Sequence, residues 1–196
     1  MDLFGSARIG DTWAVDTVET RDFEPHMERI REAPRDVGRL ELVVRRPAVD
    51  QREVVAEAEL DLALGLVGDG WLDRGSRSMP DGSANPDCQL TLMSTRVLAA
   101  IEPDPTRWPL AGDQLYVDFD LSIEGLPAGS RVAIGSAVIE VTETAHTGCA
   151  KFSARFGSDA LRWINSPIGR SHRMRGLNAR IVEPGTVRTG DAIRKV

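Results

Sequence analysis

Long apolar runs are missing from this sequence: none of its 196 residues lies in a stretch near the roughly 18 uninterrupted apolar residues that a membrane helix requires. No membrane partner is expected. Cysteine is scarce, at two residues, Cys88 and Cys149, with no CxxC pair and no His/Cys ligand spacing. Neither a disulfide framework nor a structural zinc site is expected from that usage. No internal repeat or low-complexity tract occurs, and the glycine-rich "GLVGDG" at 65–70 lacks the Lys-Ser/Thr of a phosphate-cradling loop, so nucleotide binding has little support. The opening "MDLFGSARIGDTW" has acidic Asp2 where a secretory signal carries basic residues, and no apolar core follows it. The expected compartment is the cytoplasm. Basic residues are outnumbered 24 to 30, and the net charge of −6 argues against a nucleic-acid partner.

What is present fits a soluble globular chain of one principal domain, with 41% hydrophobic and 28% charged residues. Charge is unevenly placed. Residues 146–196 carry 10 Lys and Arg against 3 Asp and Glu, leaving 14 basic and 27 acidic side chains in residues 1–145. Such a contrast marks an anion-binding face on an otherwise acidic molecule.

Residues 1–37 are polar and punctuated by proline, and read as an N-terminal arm with one short helix in "RDFEPHMERIREAP", capped by Asp22 and ended by Pro34. From Gly38 the texture becomes strand-like. "GRLELVVRRP" alternates around Leu40, Leu42 and Val44, and "REVVAEAELDL" follows across the turn "PAVDQ", predicting a hairpin. Residues 72–87 have almost nothing to bury and read as a long surface loop. "CQLTLMS" reads as an alternating strand and "STRVLAAI" as a helix capped by Ser94 or Thr95. "GDQLYVDFDLSI", "GSRVAIG" and "AVIEVTE" give three more strands, with Leu115, Val117, Phe119 and Leu121 on one face. "DALRWI" is helical, and short strands close the chain. Many short strands with frequent turns predict a mainly β fold, a closed or nearly closed β-barrel over residues 38–196 with a few short α-helices.

The most chemically suggestive stretch is "HTGCAKFSARFG", residues 146–157. A thiol reacts or ligates a soft metal as thiolate, which needs nearby positive charge, a helix start or backbone donors. His146, Lys151 and Arg155 flank Cys149, a helix is expected shortly downstream, and Gly148 allows an amide nest. Taken alone, Cys149 reads first as a small buried hydrophobe, and only second as a working thiol.

The order of motifs resembles the MOSC domain family, named for the C-terminal part of molybdenum cofactor sulfurases. The resemblance rests on "GSRVAIGSAVIEVTETAHTGCAKF" with Gly129, Gly135, Glu140, Val141, Thr142 and then Cys149, and on the closing "GTVRTGD" with Gly185, Gly190 and Asp191. "GRLELVVRRP", "GLVGD" and "CQLTLMS" follow the family's order upstream. The resemblance implies a β-barrel whose cysteine faces a pocket. It also implies that Cys149 carries sulfur as a persulfide or serves as the metal ligand of a molybdenum cofactor (molybdopterin), for sulfur transfer or for reduction of N-hydroxylated compounds, with a sulfur donor or redox partner protein. His146 then stands as a catalytic neighbour, and Lys151, Arg155, Arg173 and Arg175 as groups for an anionic small molecule or pterin.

Against the family pattern, residues 1–37 are too short for a pyridoxal-phosphate domain, so that cofactor is not expected in this chain, and Gly68-Asp69 is followed by Gly70 and Trp71 rather than a basic residue. His146 has a solvated-surface alternative. Residues 166–176 read either as a lid or as a solvated loop, and Asp69, Asp113 and Asp191 as turn residues satisfying amides. Cys88 reads as structural or as a resolving thiol. The rival function is a non-catalytic binding module of the same fold serving a partner enzyme.

Overall fold

The structure is a computed structural model that describes residues 21–196. In chain order its elements are α1 (Met27–Arg31), β1 (Val37–Arg45), β2 (Glu53–Val55), β3 (Glu57–Asp61), β4 (Gly65–Leu66), α2 (Trp71–Arg74), β5 (Leu90–Ser94) and α3 (Thr95–Ile101). They continue with β6 (Leu115–Asp118), β7 (Arg131–Ile134), β8 (Ala137–Val141), α4 (Ala150–Phe156), α5 (Ser158–Ile164), α6 (Pro167–Ser171), β9 (Leu177–Glu183), β10 (Gly185–Arg188) and β11 (Ala192–Lys195).

β1 closes the barrel because it pairs twice along its nine residues. Val37–Arg39 lie antiparallel to β11, and Arg39–Val43 antiparallel to β6. The ring of seven strands runs β1-β11-β7-β8-β9-β5-β6, and β2 pairs with the far end of β1 through the expected hairpin. A three-stranded sheet, β10-β3-β4, packs beside it. One pair in the barrel is parallel, β5 with β6, and α3 makes the crossover that a parallel pair demands.

Two apolar cores follow. Alternate residues of the strands fill the barrel, among them Leu40, Val43, Leu92, Leu115, Val117 and Ile139. The helices cover one outer wall, where Val44, Met93, Tyr116, Phe152, Ile164 and Met174 meet Phe23, Met27 and Ile30. The described part of the N-terminal arm therefore contributes to this second core, and its first 20 residues lie outside the described region. Asp22 accepts from the Glu24 amide at 3.0 Å at the start of that helical segment.

Two strands differ from the alternation read in the sequence. β1 carries a bulge between Leu40 and Leu42, so Leu40 and Val43 point inward while Leu42 and Val44 face the helices. One extra residue flips the side-chain parity of all that follows. In β5 all five residues are buried, because the barrel interior lies on one side and α3 and its neighbours on the other. The 166–176 segment is not an open solvated loop: α6 forms there, with the Ser166 hydroxyl accepting from the Gly169 amide at 3.1 Å, and Met174 is fully buried.

Candidate functional site

Cys149 stands at the point where the β8 connection turns into α4, with extended backbone at the N-cap position. Gly148 builds this turn by size rather than by an unusual backbone angle. A Cβ there would come within 2.6 Å of Leu161 Cδ1 and 2.8 Å of Ile164 Cδ1. Asn165 at the end of α5 fixes it, accepting from the Gly148 amide at 3.1 Å and donating to the Gly148 carbonyl at 3.3 Å. The thiol is thereby left exposed, and it is not the buried hydrophobe of the alternative reading.

Its acidity is raised by backbone more than by side chains. The Phe152 amide, then the Lys151 amide and the guanidiniums of Arg175 and Arg155, hold the Cys149 thiol below the ordinary range, against a smaller opposing effect of burial. The helix that acts is α4 itself, not the one through "DALRWI". Lys151 helps through its N–H, while its ammonium sits 3.3 Å from Asp50 and is mostly exposed.

The arginines converge on the loop before β6. Leu110, Ala111 and Gly112 each give their carbonyl oxygen to a different guanidinium: Arg155 Nη1 donates to the first at 2.7 Å, Arg175 Nη2 to the second at 3.0 Å and Arg46 Nη1 to the third at 2.8 Å. Each arginine is also anchored on a carboxylate, Arg155 on Asp50 at 2.7 Å, Arg175 on Asp113 at 2.7 Å and Arg46 on Asp69 through two bonds of 2.9 Å. Gly112 sits beneath them with φ of 92°, a conformation that disfavours other residues. Arg175 further lies over the Phe152 ring at 5.2 Å. Arg155 and Arg175 are thus held rigidly beside α4, and a rigid guanidinium loses little entropy on gripping an anion.

Asp113 is more than a turn residue. It is fully buried, Arg175 takes Oδ2, and Oδ1 lies 3.5 Å from His146 Nδ1, with neither of those two atoms hydrogen-bonded. Gly176 makes room for the imidazole: a Cβ there would lie 3.4 Å from His146 Nδ1 and 2.0 Å from the Leu92 carbonyl. Burial, then Arg175, push the His146 pKa down to about 3, outweighing the pull of Asp113. His146 is therefore neutral at neutral pH and lends Cys149 no positive charge. Tyr116, whose hydroxyl accepts from the Asp113 amide at 3.2 Å, is pushed well above the usual phenol range by burial.

His146, Thr147, Asn165, Arg170, Arg173 and Arg175 line one side of a cleft of about 370 Å³. Arg173, one of two non-glycine residues with positive φ among those described, is fixed by giving Nη1 to the Leu121 and Leu126 carbonyls. Lys151 lies on the other flank, in a second groove. The expected residues therefore divide: His146, Arg173 and Arg175 share the cleft, Arg155 and Lys151 meet at Asp50, and Cys149 sits at the start of the helix that carries Lys151 and Arg155. Cys88 is a free thiol, half-buried and raised in pKa by burial and Asp87. Asp69, Asp113, Asn165 and Arg46 escaped the sequence reading as site residues; the one local signal was the "GD" pairing, shared with every ordinary turn.

The fold is a closed seven-strand β-barrel with an exposed cysteine at the start of a helix that packs on its outer wall. The family model for the MOSC domain matches residues 82–194, more than half of the chain, and the chain belongs to that family. Among solved structures it is similar to the YuaD protein from Bacillus subtilis, at 20% identity and a TM-score of 0.55 over 80% of this chain and 94% of that one. It is also similar to YiiM from Escherichia coli, at 21% identity and a TM-score of 0.52 over 81% of this chain and 69% of that one. At these identities the likeness concerns the fold. No curated protein matches the sequence.

Proposed function

We propose that this MOSC protein works through the Cys149 sulfur, which either ligates the metal of a molybdenum-pterin cofactor or carries a sulfur atom as a persulfide. The downstream task is sulfur transfer to metal-sulfur cofactors or reduction of N-hydroxylated compounds, with a sulfur donor or redox partner as its counterpart. The observation that carries this reading is the exposed thiol of Cys149, acidified by the α4 amides and by Arg155 and Arg175.

Among the described residues no group of three or more His, Cys, Asp or Glu is placed to hold a metal ion unaided. A metal at Cys149 would arrive with its own ligands, and a pterin that carries molybdenum on its own sulfur atoms meets that condition. One exposed thiolate is then a fitting protein donor, soft enough for molybdenum. His146 and Arg175 line the adjoining cleft, in which polar groups of the cofactor or substrate would lie. When bound, the cofactor would supply two-electron redox chemistry; the chain's residues orient it and stabilise its charge.

For sulfur transfer the same groups suffice. The Cys149 thiolate attacks the outer sulfur of a donor persulfide, the donor leaves as its thiolate, and the new persulfide anion on Cys149 is held by the same amides and guanidiniums. Neutral His146 does not compete as a cation.

The test is molybdenum analysis of freshly purified protein together with intact mass for one added sulfur atom, on the natural chain and Cys149→Ser. Molybdenum or added sulfur that disappears in the variant is expected. Neither in the natural chain, with full cellular function kept by Cys149→Ser, would establish the rival binding module.

A further inference from the structure

We propose that the groove between the β1–β2 turn and α2, lined by Arg46, Arg52, Arg74 and Lys151, is a binding site for a phosphate group carrying two negative charges. The groove holds about 630 Å³, and Gly70 and Gly112 line it without side chains. A Cβ on Gly112 would lie 3.4 Å from Arg52 Nη2 and 3.9 Å from Arg155 Nη1, so two guanidiniums close over the same spot.

The cations here are not all matched by carboxylates. Arg46 is spent on Asp69 and Gly112, while Lys151 and Arg155 share the single carboxylate of Asp50. Arg52 lends Nη1 to the Gln51 carbonyl, and its enclosed Nε has no partner. Arg74, in the last turn of α2, pairs with none of the described carboxylates. Five cationic side chains thus meet Asp50, Asp69 and Asp73, leaving two positive charges in excess. Arg52 and Arg74 are each held below the ordinary guanidinium range, first by enclosure and then by neighbouring arginines, Arg155 and Arg46 for Arg52 and Arg46 for Arg74. A dianion relieves that crowding and gives the free guanidinium N–H groups acceptors, and phosphate matches the planar fork of arginine. Asp50 sits in the turn at φ of 61°, a strained angle for a non-glycine residue, and its carboxylate holds Lys151 and Arg155 at the groove's edge.

Three of its four lining cations, Arg46, Arg52 and Arg74, come from the acidic part of the chain, and Lys151 comes from the basic C-terminal segment. It does not depend on the chemistry proposed for Cys149. The same dianion is presented by the phosphate of a pterin cofactor and by a free phosphorylated metabolite.

Inorganic phosphate and phenyl phosphate would be titrated into the full chain by calorimetry at low ionic strength, beside Arg52→Gln, Arg74→Gln, the double variant and Cys149→Ser. Saturable binding of both probes is expected, weakened about tenfold by each arginine substitution and unchanged by Cys149→Ser, with thermal unfolding confirming that the variants fold. Absent binding in the natural chain, or equal affinity in the folded double variant, would overturn the site whatever becomes of Cys149. Repeating the titration on protein loaded with the molybdenum-pterin cofactor separates the sources: blocked binding supports the site with the cofactor's phosphate in it, and undiminished binding supports it as a site for a separate metabolite.

Discussion

Replacing Arg175 by glutamine removes the central brace of the site. Arg175 is buried, with its guanidinium bonded to Asp113 Oδ2 at 2.7 Å and the Ala111 carbonyl at 3.0 Å and resting over Phe152. The substitution strands a fully buried carboxylate, whose other oxygen already lacks a hydrogen bond. Breaking a buried pair from one side costs about 3–5 kcal/mol, and for a chain of this size each kcal/mol moves the melting temperature by about 2–4 °C. Urea unfolding with matched m-values should therefore show about 3–5 kcal/mol lost and a melting point lower by about 10 °C. The double variant Arg175→Gln/Asp113→Asn should recover most of it, because the stranded charge is gone. Arg175 is the second cause, after burial, of the depressed His146 pKa, so the imidazole should titrate closer to its usual range by NMR in the single variant. A loss under about 1 kcal/mol, with His146 unmoved, would refute the reasoning, since it would mean that Asp113 is solvated and that Arg175 does not govern its surroundings.

Gly148→Ala should cost about 1–3 kcal/mol in chemical denaturation, since its Cβ collides with Leu161 and Ile164 on a rigid helix. His146 sets a pH dependence. Its folded pKa of about 3 lies below the unfolded value near 6.5, so the unfolded chain binds the extra proton between those values and stability falls as pH drops through that window. His146→Gln should flatten the fall in urea midpoints between pH 6.5 and 4. Cys88, raised by burial and Asp87, should alkylate more slowly than Cys149 at pH 7 when each is followed by peptide mass mapping.

The barrel was legible because its strands alternate and its turns are marked, as in the Leu115-Val117-Phe119-Leu121 face that fills the interior. It blurred where tertiary structure overrides local pattern. The β1 bulge and the doubly covered β5 both hide their faces from a period-two reading. Cys149, His146 and Arg175 stood out through spacing and charge. Asp113 and Asp69 did not, since a buried anchoring carboxylate and an exposed turn aspartate look alike after glycine; only the fold shows that Arg175 and Arg46, 62 and 23 residues away, reach them. The groove arginines were hidden for a related reason. Overall charge counts favoured the C-terminal third, whereas what matters is which guanidiniums the carboxylates leave unmatched.

The central claim is that the α4 amides, with Arg175 and Arg155, hold the Cys149 thiol below its ordinary range and so make it a better nucleophile or ligand than a free cysteine. Its direct test is the pH profile of Cys149 alkylation in the natural chain, read peptide by peptide. A midpoint clearly below the usual thiol value of about 8.5 is expected, moving up when Arg175 is replaced. A midpoint at or above 8.5, indifferent to Arg175, would contradict the account.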